Sequence, residues 1–183
     1  MSGKLELILG GARSGKSGFA ERTAKSSGLP VSVIVTATAG DAEMAERIRR
    51  HRAERPAGWK TVEEPIALAQ ALLAEAQEDR CVVVDCLTVW LSNLMVADGD
   101  IPETWDVEKR PLFARERDFF LEVLPGLPGH IVLVANEVGL GLVPMTPMGR
   151  FYRDEAGRLN QALARLCVQV SFVVSGLPLM LKN

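Results

Sequence analysis

Cysteine is scarce and scattered in this chain: Cys81, Cys86 and Cys167 are the full set, and no two of them form a CxxC pair. That speaks against a disulfide framework and against a zinc site, and it fits a reducing cytoplasm. An excess of charge of either sign is also lacking. With a formal net charge of -2 there is no overall basic field, so composition gives no support to general nucleic-acid binding. Long hydrophobic runs are missing too. The first apolar stretch, residues 5–9, falls far short of a signal-peptide core or of the roughly 20 residues that span a membrane, so no membrane association is expected. There is no internal repeat, low-complexity tract or Pro/Ser linker.

What is present is an ordinary globular composition, 48% apolar and 24% charged over 183 residues, which predicts one domain spanning 1–183. Five short runs rich in Val, Ile and Leu recur at 5–9, 31–35, 81–84, 131–134 and 168–174. They are nearly continuous rather than alternating, as expected for strands covered on both faces in a parallel sheet. Segments 17–25, 41–54, 65–77 and 115–124 carry Ala, Leu, Glu and Arg at helical spacing between them. The stretch 98–111, mixing Gly, Pro, Trp and charges, reads as a long surface connection. A last run, 179–181, follows Gly176 and Pro178 and is expected to add an antiparallel edge.

The strongest local signal is Gly10-Gly11-Ala12-Arg13-Ser14-Gly15-Lys16-Ser17, a GxxxxGKS string placed directly after the first predicted strand and before the first predicted helix. Glycines let the backbone wrap around phosphates, successive N–H groups point inward, and the following helix presents its positive end. Lys16 is then positioned to reach the outer phosphates, and the Ser17 hydroxyl to bind Mg²⁺. The expectation is an α/β fold of the P-loop NTPase type, three-layered, with a mostly parallel central sheet and helices on both faces. Asp85 closes the run 81–84 and is the natural second carboxylate for Mg²⁺. The carboxyl ends of parallel strands are where ligands bind in such sheets.

Signalling GTPases carry an NKxD base-reading motif, whereas the corresponding strand here ends Asn136-Glu137-Val138-Gly139. The DxxG string at Asp154 to Gly157 lies in a helix-like stretch, 151–166, instead of following a strand, so a switch GTPase is not indicated. Residues 41–56 read as a helix: Asp41 to cap it, Glu43 and Glu46 early, arginines late, and Pro56 as the stop. His51 falls on one face of it with Met44 and Ile48. In isolation this would be a packed or surface histidine beside a solvated basic face. Next to a phosphate loop it gains another meaning, because arginines bind phosphate bidentately and imidazole can attack phosphorus.

The strings GGARSGKS, TATAGDAEM, RIRRHRAERPAGW, VVVDCLTVWLSNL, NEVGLGLVP, FYRDEAGRLNQALA and VVSGLPLMLK together resemble the bifunctional adenosylcobinamide kinase / adenosylcobinamide-phosphate guanylyltransferase family of cobalamin biosynthesis, over nearly the whole chain. The resemblance implies two reactions. ATP or GTP first phosphorylates the hydroxyl of adenosylcobinamide's aminopropanol arm. The family's histidine, which falls on His51, then attacks the α-phosphorus of GTP, expels pyrophosphate, and passes GMP to adenosylcobinamide phosphate. The family's nucleotide contacts fall on Gly10, Gly11, Ala12, Arg13, Ser14, Gly15, Lys16 and Ser17, on Thr36, Ala37 and Thr38, on Arg52, Ala53, Glu54 and Arg55, on Glu63 with Glu64 as its alternative, and on Asp85. Lys16 and His51 are the expected catalytic pair. A homo-oligomer, by resemblance a trimer, is implied.

This chain departs from the family pattern in two places. The family often carries Glu where Asp85 stands, so Mg²⁺ contact through water becomes an alternative to direct contact, and the loop between Thr38 and Glu43 is shorter. Two rival readings use the same residues: a simpler P-loop kinase in which His51 is inert, and a nucleotide-gated module or assembly ATPase. No appended domain, basic surface or switch pair favours the latter. His130, before the strand 131–134, is expected to be structural, and Trp59, Trp90 and Trp105 to be packing residues.

Overall fold

The computed structural model describes residues 3–38, 46, 49, 55–99 and 106–183. Seven strands form one sheet in the order β3-β2-β4-β5-β1-β6-β7. They are β1 (Lys4–Gly10), β2 (Val31–Val35), β3 (Lys60–Glu63), β4 (Cys81–Asp85), β5 (His130–Asn136), β6 (Gln169–Val174) and β7 (Leu177–Lys182). All neighbouring pairs are parallel except β6 and β7, which are antiparallel. The predicted mostly parallel sheet with an antiparallel C-terminal edge is the one observed.

The reason lies in how alternate side chains divide. Leu5, Leu7 and Leu9 of β1, Val82 and Val84 of β4, and Ile131 and Leu133 of β5 enter one core. Ile8, Val83, Val132 and Val134 enter another on the opposite face. A strand buried on both sides needs apolar residues at both parities, which is why the runs are continuous. Helix α1 (Lys16–Ser26) covers the second face through Ala20 and Ala24. The other face carries α2 (Leu68–Glu75), α3 (Leu87–Ala97), α4 (Pro111–Val123) and α5 (Pro147–Leu166). Asp154 and Gly157 lie inside α5, so the DxxG string there is part of a helix and follows no strand.

Several elements differ from the sequence expectation. Helix α4 begins at Pro111, not 115, because both carboxylate oxygens of Asp98 accept main-chain N–H groups, from Leu112 and Phe113 at 3.0 Å each. Part of the stretch 98–111, read as a surface connection, thereby starts a helix, and Arg110 within it is buried. Helix α2 begins at Leu68, not 65, because Glu64 Oε1 takes the N–H groups of Ile66 (3.0 Å) and Ala67 (2.8 Å) in a turn. Strand β3 and helix α3 have no counterpart among the predicted elements. Most of the expected helix 41–54 and Trp105 lie outside the described residues.

Burial is not purely apolar. Glu6, inside the first apolar run, is buried on β1, where His130 Nε2 lies 3.0 Å from its Oε1 and Lys4 pairs with the same oxygen. His130 is thus structural, as expected. Trp90 is fully buried against Phe120, with ring centroids 5.0 Å apart, and its indole N–H donates to Ile66 O at 2.8 Å.

Candidate functional site

The phosphate loop is the link between β1 and α1, and the strand pairing places it in the middle of the sheet's carboxyl edge. Gly10 sits beside Asn136 of β5 on one side and Val173 of β6 on the other. A side chain at Gly10 would come within 2.7 Å of Val173 O and 2.5 Å of Ser14 Oγ, so glycine is needed for the chain to turn there. Gly15 has φ of 93°, a left-handed conformation that disfavours other residues, and it starts α1. Arg13 holds φ of 56° without that freedom. Such conformations cluster at ligand clamps.

Lys16 is buried, and its ammonium donates to Gly11 O at 3.1 Å, which folds the side chain back over the loop. The Ser14 N–H reaches the same carbonyl at 3.3 Å. Ser14 Oγ is one of three buried side-chain oxygens with no hydrogen-bond partner among the described residues. A second is Asn136 Oδ1, one strand away, and a buried polar atom without a partner marks either strain or a place where a ligand belongs.

The neighbouring strand ends continue the row. Asp85 ends β4 opposite Val35 of β2 and Val134 of β5, two strands from Gly10 and two residues back in register, and so about 12 Å away by strand spacing and rise. Its carboxylate enters no salt bridge among the described residues. Burial pushes the adjacent Cys86 thiol up, the Asp85 charge adds to that, and Lys16 opposes it, so the three groups stand within electrostatic reach of one another. A carboxylate without a salt bridge, two strands from the Ser17 hydroxyl that opens α1, is a donor pair suited to Mg²⁺, the remaining ligands coming from phosphate and water. Among the described residues no three His, Cys, Asp or Glu side chains form a protein-only metal cage.

Thr36 occupies the end of β2 but turns its side chain inward. Its hydroxyl donates to Cys86 O at 2.7 Å and accepts from Cys86 N–H at 3.2 Å, while Asn93 Nδ2 donates to Thr36 O at 2.7 Å and to Pro65 O at 3.1 Å. Thr36 therefore ties β2 to the turn after Asp85. Ala37 is half-buried and Thr38 exposed immediately beyond it. Glu63 closes β3 opposite Val35, on the same edge, and the neighbouring Glu64 carboxylate is committed to the turn before α2. Arg55 is described and half-buried, whereas His51, Arg52, Ala53 and Glu54 lie outside the described residues.

A second set of contacts at this edge was not visible in the sequence. Thr88 Oγ1 accepts the Asn136 N–H at 2.6 Å, Thr88 O accepts from the Tyr152 hydroxyl at 3.1 Å, and Asn160 Nδ2 donates to Asn136 O at 3.3 Å. Burial raises the Tyr152 phenol to about 12, so it stays a neutral donor. The end of β5 beside the phosphate loop is thereby fixed from α3 and α5 together. Arg153 and Arg158 are engaged on α5 itself, with Asp154 and Glu155.

Comparison with known proteins agrees with this geometry. The family described as cobinamide kinase / cobinamide phosphate guanyltransferase matches residues 6–181. The chain is 55% identical over 178 residues to the bifunctional adenosylcobalamin biosynthesis protein CobP of Pseudomonas aeruginosa, covering 97% of each. It is 38% identical over 180 residues to the bifunctional adenosylcobalamin biosynthesis protein CobU of Escherichia coli, covering 96% of this chain and 98% of that one. Among solved structures it is similar to the assembled ATPase EscN of an enteropathogenic E. coli type III secretion system. That similarity has a TM-score of 0.53 at 12% identity, covering 94% of this chain and 43% of EscN, and it bears on the fold alone. With the family pattern running over nearly all of its length, this chain belongs to the cobinamide kinase / cobinamide phosphate guanyltransferase family.

Proposed function

We propose that this chain catalyses both reactions for which its family is named, on one nucleotide site with two targets. In the first, a triphosphate held by residues 10–17 gives its γ-phosphoryl group to the hydroxyl of adenosylcobinamide; ATP and GTP both suit the loop. In the second, GTP gives its GMP part to adenosylcobinamide phosphate, yielding adenosylcobinamide-GDP and pyrophosphate. The observation that carries this reading is the phosphate loop itself, opening onto a row of strand ends that includes Asp85 two strands away.

The residues divide the work. Main-chain N–H groups of the loop and the start of α1 bind the phosphates, and Lys16 neutralises charge that builds on the oxygens between donor and leaving group. Ser17 and Asp85 would hold Mg²⁺, which supplies further charge neutralisation when bound. His51 is the nucleophile of the second reaction: neutral imidazole forms an N–P bond at the α-phosphorus of GTP, the bond to pyrophosphate breaks, and the adduct then yields GMP to the phosphate of the corrinoid. Arg52 and Arg55 would disfavour imidazolium and steady the triphosphate. Glu63, at the far end of the row, suits a contact with the nucleotide remote from the phosphates.

Association into a homo-oligomer, a trimer by family resemblance, belongs to the same reading. It is supported by β7, an edge strand whose Leu177, Leu179 and Leu181 are all exposed. The free thiols of Cys81, Cys86 and Cys167 suit the cytoplasm.

Product analysis of His51→Ala tests the division. The variant is expected to phosphorylate adenosylcobinamide at the wild-type rate and to form no adenosylcobinamide-GDP. Normal GMP transfer by it would reduce the protein to a P-loop kinase with an inert histidine at position 51.

A further inference from the structure

The link from β5 to α5, residues 137–146, leaves directly from the phosphate site. Glu137 N–H donates to Gly10 O at 3.0 Å, and the Glu137 carboxylate accepts the Gly139 N–H at 2.6 Å. Val138 still packs on the core. The far end is pinned as well: Thr146 accepts the Gly149 N–H at 3.1 Å, and Arg150 donates to the carbonyls of Pro144 (3.2 Å) and Met145 (2.8 Å). Between these pins the large apolar side chains turn outward. Leu140 is 81% exposed, Leu142 96%, Val143 61% and Met145 93%. Single exposed apolar residues are normal, but four within six residues, on a backbone held at both ends, make a surface shaped to be covered.

We infer that this segment is the binding face for the corrin ring of adenosylcobinamide. The inference rests on the reading that residues 10–17 present the phosphoryl donor. In the reactive complex the substrate alcohol must lie about 3–3.5 Å from the γ-phosphorus. The rest of the substrate is joined to that alcohol through its short arm, so the ring must sit just beyond the phosphate loop at the sheet's carboxyl edge. Residues 137–146 rise from that edge on the strand next to β1. A corrin offers broad apolar faces with amides at its rim. That chemistry matches outward Leu, Val and Met side chains on a loop whose two ends are already fixed by hydrogen bonds.

A second copy of the chain is the competing occupant, and β7 suits it better. That strand is the free edge of the sheet, separated from β1 by β6, and it carries unpaired main-chain groups beside its exposed leucines. The phosphate-side segment has no such edge to extend. Its exposed side chains follow directly on the end of β5, where the Glu137 N–H is bonded to Gly10 O.

The test uses the full chain carrying Leu142→Ser and Met145→Ser, separately and together, in steady-state phosphorylation of adenosylcobinamide by ATP, with sedimentation velocity on the same samples. Removal of apolar contact in a substrate pocket is worth roughly 10–200-fold. The double variant is therefore expected to raise the KM for adenosylcobinamide at least tenfold, with the KM for ATP and the sedimentation coefficient unchanged. An unchanged KM for adenosylcobinamide overturns the inference, as does a shift to a smaller sedimenting species, which would make the segment an interface between copies. If the wild-type chain phosphorylates no adenosylcobinamide, the kinase reading falls and takes this inference with it; an active wild type with indifferent variants overturns the inference alone.

Discussion

The main-chain N–H of Gly176 donates to the carbonyl of Ser14 at 2.7 Å, so the tight turn joining β6 to β7 is fastened to the phosphate loop. Ser175 and Gly176 both have positive φ, 52° and 80°, the pattern of a two-residue hairpin turn whose twist matches its strands. A Cβ on Gly15 would stand 3.0 Å from the Gly176 Cα, so loop and turn are in close contact where α1 begins. The C-terminal hairpin is therefore part of the frame that shapes the nucleotide site.

Gly15→Ala should consequently damage binding more than folding. The substitution adds a side chain at φ of 93° and presses it on the turn, a cost of about 1–3 kcal/mol. Titration of the nucleotide against the variant is expected to show affinity weaker by tenfold or more, and both reactions should slow. Wild-type affinity would mean that the contact with Gly176 yields freely.

Thr36→Val should couple stability to catalysis. The variant keeps the shape of the side chain but leaves the Cys86 N–H without its partner and the Cys86 carbonyl with the Trp90 N–H alone, at about 1–3 kcal/mol. Because Cys86 follows Asp85 directly, kcat of both reactions is expected to fall along with the urea midpoint. Lost stability with unaltered kcat would show that Asp85 is positioned without help from the Thr36 hydroxyl.

The buried carboxylate of Glu6 predicts a pH dependence. Burial alone pushes its carboxyl up, but hydrogen bonds from His130 and Lys4 outweigh that and hold it below its ordinary value. Its contribution is therefore fully present above the unfolded value of about 4.3 and is lost as pH falls through the lowered folded value. The gap in urea midpoint between wild type and Glu6→Gln should be wide at pH 7 and close towards pH 3. A gap independent of pH would mean that the charge contributes nothing.

Trp90→Ala is expected to cost about 3–5 kcal/mol, because it empties the centre of the larger core. Trp90→Phe should cost less while leaving Ile66 O without its indole donor. Equilibrium unfolding of the two variants measures both effects. Equal losses would assign the whole effect to the hydrogen bond.

Much of this architecture was legible because the chemistry is local. A strand buried on both faces must be apolar throughout, and a loop that wraps phosphate must carry glycine where Gly10 and Gly15 stand. The elements that escaped did so for physical reasons. Strand β3 is Lys-Thr-Val-Glu, a four-residue edge with charge at both ends and no apolar run to announce it. Helix α3, from Leu87 to Ala97, buries Leu87, Trp90, Leu91, Leu94 and Met95 on one face, but Val89 and Val96 outside that face blur the helical period. That the turn before α2 consumes the Glu64 carboxylate is a matter of three-dimensional placement that the sequence does not show. Glu6 passed as part of an apolar run because its partner His130 lies 124 residues away. The outward set at 140–145 carried no signal, since nothing in the sequence says which way a loop turns its side chains.

The central claim is that one phosphate loop serves attack at two different phosphorus atoms, and labelled GTP reads this most directly. The protein is incubated with α-labelled or γ-labelled GTP, first alone and then with adenosylcobinamide. Acid-labile α-label is expected on the wild-type protein and none on His51→Ala, with γ-label passing to adenosylcobinamide in both. Absence of α-label from the wild type, together with normal formation of adenosylcobinamide-GDP, would contradict it.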